Sequence, residues 1–186
     1  MSGEIHRRPA SPALRHLLND EKLQILFAAL DGNGEELRIV GGAIRNSLCG
    51  HKVIDVDLAT TAEPDEIIKR AQIAGLKWIP TGIEHGTLTL IIQSTAFEVT
   101  TLRRDIETDG RHAKVQFGRD FEEDALRRDF TINALSLDGK GQLYDYTQGQ
   151  SDIEQGRVRF IGQARQRIRE DYLRILRLFR FHAAYG

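Results

Sequence analysis

Residues 38–60 constrain this chain more than any other stretch. A short apolar run (Leu37, Ile39, Val40) leads into the pair Gly41-Gly42. A helix-compatible segment follows and closes at Gly50, and a second apolar run then carries Asp55 and Asp57 one residue apart. In a strand, side chains two positions apart project from one face. Asp55 and Asp57 are therefore expected to point together, in a strand over residues 54–59, with Ile54, Val56 and Leu58 turned into a core. Paired carboxylates repel unless a cation sits between them. Hard oxygen donors of this kind suit magnesium, which keeps several waters and takes one or two carboxylates plus substrate phosphates. A bare D-x-D also describes a strand face with two solvated acids.

The glycines have a use of their own. Gly41 and Gly42 come straight after a strand and straight before a helix. Glycine lets backbone approach a ligand closely, and a helix N-terminus offers free N–H groups to an anion. Arg45, one turn in, adds a charge-assisted donor for phosphate. A lone Gly-Gly is also a plain tight turn. A phosphate cradle followed one helix later by a carboxylate pair is what nucleotidyl transfer needs.

The chain has 186 residues, the size of one domain or of a domain with an appendage. With 40% hydrophobic and 28% charged residues it is globular rather than disordered. The formal net charge of -1 does not mark a nucleic-acid binder, yet Arg165, Arg167, Arg169, Arg174, Arg177 and Arg180 crowd residues 163–180. The single cysteine, Cys49, excludes an internal disulfide framework and a cysteine-based zinc site. No run is long and apolar enough to span a bilayer, and the start lacks a signal-peptide core. The expectation is a cytoplasmic protein without a membrane partner.

Residues 1–11 are polar and expected to be loose. Pro12 starts a helical pattern with Leu14, Leu17, Leu18, Ile25, Leu26 and Leu30 roughly on one face. Another helix begins near Pro64 and stops at Gly75. Residues 77–80, 87–93 and 95–103 read as strands, so helices and strands alternate in an α/β layer. Glu98, between Phe97 and Val99, has two readings: a third carboxylate in the Asp55/Asp57 cleft, or a solvent-side residue. Residues 104–119 are polar, with Asp109-Gly110 as a hairpin tip, and read as a flap near the site. His85 and His112 are assigned no role.

Residues 121–128 read as a helix with acids early and arginines late, as the helix dipole prefers. Arg127-Arg128-Asp129 follows; it is either an exposed charged helix end or an arginine for triphosphate with an aspartate near a ribose hydroxyl. Residues 135–137 and 142–144 pair around Asp138-Gly139. From Ala164 the pattern is helical almost to the end. There Asp171, Arg174, Arg177 and Arg180 recur every three residues as a polar ridge, beside an apolar ridge of Leu173, Leu176 and Phe179. A solvated basic face is one reading of that row. Alternatively, a carboxylate and a guanidinium one turn apart offer the acceptor and donors that read a base edge.

Five blocks occur in order: Gly41-Gly42-Ala43-Ile44-Arg45; Asp55-Val56-Asp57; Arg127-Arg128-Asp129 with Thr131-Ile132-Asn133-Ala134; Tyr144-Asp145-Tyr146 with Gly149; and Glu170-Asp171-x-x-Arg174. On these blocks the chain, from about residue 38 to 185, resembles the class II tRNA nucleotidyltransferases. These are the CCA-adding enzymes, with bacterial poly(A) polymerases as close relatives. The resemblance implies an α/β (α+β) fold: a DNA polymerase β-like nucleotidyltransferase head with a mixed sheet flanked by helices, running into a helical neck. Residues 1–34 would be an N-terminal helix and loop, 35–150 the head, and 151–186 the start of the neck.

The same resemblance implies roles. Asp55 and Asp57 would hold two Mg²⁺, while Gly41, Gly42 and Arg45 would meet the nucleotide phosphates. Arg128 would contact the incoming nucleotide with Asp129 beside the ribose. Asp171 and Arg174 would read the base of CTP or ATP, supported by Arg177 and Arg180. The 3′-hydroxyl of a tRNA would attack the α-phosphorus and release pyrophosphate. Poly(A) addition on the same head is one alternative, and a non-enzymatic nucleotide- or RNA-binding module is another. Two positions depart from the usual pattern, Asn46 in place of Asp and Tyr172 in place of a frequent proline. Members of the family continue through a longer neck, body and tail, so a head-plus-neck fragment is expected.

Overall fold

The computed structural model describes residues 6–104 and 116–186. The chain opens with strand β1 (His6–Pro9), then helices α1 (Pro12–Leu18) and α2 (Glu21–Leu30). Strand β2 (Leu37–Val40), helix α3 (Gly42–Leu48), strand β3 (Asp57–Thr60) and helix α4 (Pro64–Ile73) follow. A meander of β4 (Lys77–Gly82), β5 (Thr87–Ile92) and β6 (Thr95–Thr101) leads to the short pair β7 (Arg103–Arg104) and β8 (Gln116–Phe117). Helix α5 (Phe121–Arg127) precedes the hairpin β9 (Ser136–Asp138) and β10 (Gln142–Asp145). The described chain ends with α6 (Gly149–Glu154), α7 (Ala164–Glu170) and α8 (Leu173–Tyr185).

Eight of these strands form one mixed sheet in the order β1-β10-β9-β2-β3-β6-β5-β4. Only the β3–β6 contact is parallel. The alternation of residues sorts the two faces. Leu37 and Ile39 of β2, Leu58 of β3, Phe97 and Val99 of β6, and Leu88, Leu90 and Ile92 of β5 enter the main core. Helices α1 to α4 cover that face with Leu14, Leu18, Leu23, Leu26, Phe27, Leu30, Ala43, Ile44, Ile67 and Ala71. Each fully buried Leu or Ile contributes about 1.5–3 kcal/mol. The opposite face carries polar residues: the Thr87 and Thr100 hydroxyls lie 3.1 Å apart and those of Thr81 and Thr89 3.0 Å apart. Asp57 and Glu98 sit among them as register partners on the parallel strands, so their side chains share that open face.

Several sequence expectations change here. The helical pattern from Pro12 is two helices, because Asp20 caps the second: its Oδ1 accepts from Lys22 N at 2.8 Å and Leu23 N at 3.2 Å. Residues 6–9 are not loose but form an edge strand on β10. All four are exposed, so no apolar alternation announced them. They join, and α1 and α2 pack on, the same sheet as β2 to β6, β9 and β10. The tip of the flap and His112 lie outside the described residues; the flap's base is the β7–β8 pair, with Arg103 opposite Phe117.

Candidate active site

The site starts at the turn after β2. Gly41 sits at φ 71°, ψ -123°, a conformation that a residue with a Cβ avoids. Its N–H donates to the Leu135 carbonyl at 3.2 Å, which ties the turn to the neighbouring chain. A Cβ on Gly41 would also lie 3.0 Å from Arg128 Nη1. Gly42 then opens α3, whose first turn no side chain caps. One turn in, Arg45 is 8% exposed. Its Nη1 donates to Asn133 Oδ1, and its Nε and Nη2 donate to Asn46 Oδ1 at 3.2 and 2.9 Å.

The carboxylates are arranged differently from the strand-face expectation. Pairing of β3 with β2 begins at Asp57, opposite Val40, because β2 turns away at Gly41. Residues 51–56 are therefore coil rather than strand, and Ile54 is 80% exposed instead of entering the core. Asp57 lines a cavity of about 510 Å³ with Gly41, Gly42, Arg45, Arg128 and Asp129, within the roughly 300–1,000 Å³ of ligand sites. It also lines the adjoining cavity with Glu98 and Asp124. Asp55 lines a different cavity, against α1 and the start of β6. Its charge still reaches Asp57. Desolvation by the cavity wall raises the Asp57 carboxyl above its ordinary range, Arg128 pulls it down and Asp55 pushes it up; the net shift is upward. Among the described residues no three His, Cys, Asp or Glu side chains gather to hold an ion by themselves.

The facing wall comes from α5 and the turn after it. Asp120 caps α5 by accepting from Glu122 N at 2.8 Å. Asp124, read from sequence only as a helix-dipole acid, is 4% exposed and anchors both arginines. Its Oδ2 accepts from Arg128 Nε at 3.0 Å and Nη2 at 2.9 Å, and its Oδ1 accepts from Arg127 Nε at 2.9 Å and from Arg127 Nη2. Burial alone would raise the Asp124 carboxyl; the guanidiniums of Arg128 and Arg127 more than offset it, so it titrates below the usual range. Asp129 is fully engaged. Its Oδ1 accepts from Phe130 N at 2.8 Å and Asn133 Nδ2 at 3.1 Å, and its Oδ2 accepts from Arg177 Nε at 2.7 Å.

The block around Tyr144 proves to be scaffold for that turn. Asp145 accepts from the backbone N–H groups of Thr147, Gly149 and Gln150, which starts α6. Gly149 lies against the Thr131 carbonyl, where a Cβ would overlap it. The fully buried Asp152 accepts from Thr131 Oγ1 at 2.6 Å and pairs with Arg157 and Arg159. Residues 131–134 are thereby fixed beneath Arg45 and Arg128.

The last wall is α8. The expected continuous helix from Ala164 is broken: α7 ends at Glu170, and Asp171 is extended at φ -157°, ψ 109°. Asp171 Oδ1 accepts from Leu173 N at 2.9 Å and its carbonyl from Arg174 N at 3.1 Å. Asp171 thus caps α8 rather than riding on a ridge with Arg174. Arg174 Nη1 donates to the Arg167 carbonyl at 2.9 Å and to Glu170 Oε2 at 2.5 Å. Asp171, Arg174, Arg177 and Arg180 nevertheless all line the same cavity as Asp57. The apolar ridge of Leu173, Leu176 and Phe179 is exposed.

An open acidic sheet face, a strand–Gly–Gly–helix turn and arginines opposite define a nucleotidyltransferase head of the DNA polymerase β-like type. Residues 37–159 match the poly A polymerase head domain family, and the chain belongs to it. It is 54% identical over 151 residues to the mitochondrial CCA tRNA nucleotidyltransferase 1 of Danio rerio, covering 81% of this chain and 35% of that protein. It is 41% identical over 160 residues to the CCA-adding enzyme of Staphylococcus haemolyticus, covering 85% of this chain and 39% of that protein. Its fold is similar to the Bacillus stearothermophilus CCA-adding enzyme in complex with CTP, with TM-score 0.73, 37% identity, and coverage of 92% of this chain and 39% of that chain. The chain therefore spans about two-fifths of the length of the relatives it matches. The family generally uses divalent metal ions. The relatives' names include mitochondrial and bacterial proteins, so membership does not fix a compartment. Among the described residues no helix is long and apolar enough to cross a membrane.

Proposed function

We propose that this chain carries the nucleotide chemistry of CCA addition: transfer of C, C and A from CTP and ATP to the 3′ end of tRNA, with release of pyrophosphate. In this reading residues 35–150, with residues 6–34 packed against them, are the head, and residues 151–186 start the neck. The observation that carries it is the single cavity with Asp57 on one wall, Gly41-Gly42 at its base, and Arg128, Arg174 and Arg177 on the other walls. Magnesium suits the donor set. Asp57 is a carboxylate held above its ordinary range beside a second acid, Asp55, so a cation relieves both the desolvation and the repulsion. Two acids with ligand oxygens completing the shell are what this ion takes. Asp55 and Asp57 would hold Mg²⁺, with Glu98 adding negative charge beside Asp57. Bound there, the metal would supply charge neutralisation of the triphosphate and lower the pKa of the attacking hydroxyl.

The remaining steps belong to side chains. The glycine turn admits phosphate oxygens close to backbone. Arg45 and Arg128 balance the triphosphate charge, which grows on pyrophosphate as it leaves. Asp129, bonded to Arg177, would stand beside the ribose. Asp171 supplies acceptors and Arg174 donors for a base edge; among the described residues only Nη1 of Arg174 is engaged by protein. Arg177 and Arg180 add positive charge along the same wall.

The test is incorporation of labelled nucleotides, with Mg²⁺, into a tRNA ending just before its CCA. Addition of two C followed by one A, with UTP rejected, is expected. Long runs of A would replace the proposal with poly(A) addition. Binding of CTP without pyrophosphate release would reduce the chain to a binding module.

A further inference from the structure

The arginines of the cavity divide by partner. Arg128 pairs with Asp124, Arg174 with Glu170 and Arg177 with Asp129. Arg45 is the most buried of these and, among the described residues, has no carboxylate partner in ion-pair contact. A buried charge is costly unless its donors are satisfied. Here the acceptors are neutral amides, Asn46 Oδ1 and Asn133 Oδ1, and α8 covers the guanidinium with aromatic faces. Its carbon lies 4.3 Å from the Tyr185 ring centre and 4.9 Å from that of Phe181, within cation–π range.

Asn46 joins these parts. Its Nδ2 donates to the Lys52 carbonyl at 3.3 Å, which turns Oδ1 toward Arg45. The same Oδ1 accepts from Tyr185 Oη at 2.7 Å. Tyr185 is packed in turn on His51 and Phe181, and Phe181 on Phe130. One amide oxygen thus receives a hydrogen bond from the last turn of α8 and two from the arginine beside the glycine turn. The neutral bracket leaves the Arg45 charge uncancelled and fixes its direction.

We infer that Asn46, Phe181 and Tyr185 are positioning residues that aim Arg45 at the nucleotide phosphates, so that docking of α8 sets a phosphate contact on α3. The inference rests on the nucleotidyl-transfer reading of this cavity. Removing the bracket frees the guanidinium without touching the carboxylates. The cost falls on nucleotide binding more than on the chemical step.

The experiment measures steady-state CTP incorporation into a trimmed tRNA by the full chain and by Asn46→Ala, Tyr185→Phe and Tyr185→Leu. Asn46→Ala and Tyr185→Leu should raise KM for CTP about tenfold, the lower end for losing hydrogen bonds to a charged group. Their kcat should stay within about threefold, and Tyr185→Phe, which loses only the hydroxyl, should fall between. Because the residues act through Arg45, adding Asn46→Ala to Arg45→Ala should raise KM no further. An unchanged KM in folded Asn46→Ala and Tyr185→Phe overturns the inference, as does an equal cost of Asn46→Ala with and without Arg45. A wild-type chain that incorporates no nucleotide would instead overturn the reading beneath it.

Discussion

Asp124→Ala is the most informative perturbation outside the carboxylates of the sheet. It removes a side chain 4% exposed that accepts from both Arg127 and Arg128. Breaking a buried ion pair by removing one partner costs about 3–5 kcal/mol. The arginine side chains are 31% and 25% exposed, so water recovers part of that, and about 2–3 kcal/mol is expected. For a chain of this size that is a fall in Tm of about 4–12 °C. Among the described residues Arg128 would keep only its 3.3 Å bond to the Asn133 carbonyl, so KM for CTP should rise about tenfold as well. Thermal unfolding followed by circular dichroism and CTP titration on the same preparations measure both. A Tm within about 1 °C of wild type with an unchanged KM would refute the claim that Asp124 braces the arginine wall.

Asp57→Asn should abolish incorporation yet leave stability at pH 7 equal to or above that of the wild type. A carboxyl raised in the folded state opposes folding once ionised, and the amide removes that opposition; urea unfolding at pH 7 checks it. Asp124 has the opposite sign. Its lowered value gives stability that is complete above the unfolded carboxyl value of about 3.9 and is lost as pH falls below it, a loss that should be absent in Asp124→Ala. Gly41→Ala should cost about 1–3 kcal/mol, from its φ of 71° and the Arg128 contact, and should lower activity; wild-type denaturant midpoints would contradict it. Arg174→Ala should relax the preference for CTP over UTP while leaving Mg²⁺ dependence unchanged, as competing incorporation of the two nucleotides would reveal.

The sheet was legible where alternation and glycine agree. Strands β5 and β6 and the turn at Gly41 lie within a residue or two of where the sequence put them. The misreadings share a cause, since tertiary pairing decided what local pattern left open. Asp20 and Asp171 fit a helical period, but both are caps, and a carboxylate that bonds backbone N–H groups ends the run it belongs to. Ile54 alternates with its neighbours, yet no strand pairs with it once β2 leaves at Gly41. Strand β1 has no apolar face and exists through the backbone of β10. Asp124 read only as a helix-dipole acid and Asn46 only as a departure from the family pattern, and Tyr185 carried no local signal. Their partners lie at Arg127 and Arg128 for Asp124, at Arg45 for Asn46, and at Asn46 on α3 for Tyr185, contacts that only the folded chain brings together.

One measurement bears most directly on the account: pyrophosphate release from CTP on a tRNA trimmed before its CCA, by the wild-type chain and by Asp57→Ala, across a magnesium titration. The wild type should release pyrophosphate in step with added magnesium, and Asp57→Ala should fall by about a thousandfold or more while remaining folded. An Asp57→Ala protein that releases pyrophosphate within about tenfold of wild type would contradict the assignment of this cavity as the catalytic centre.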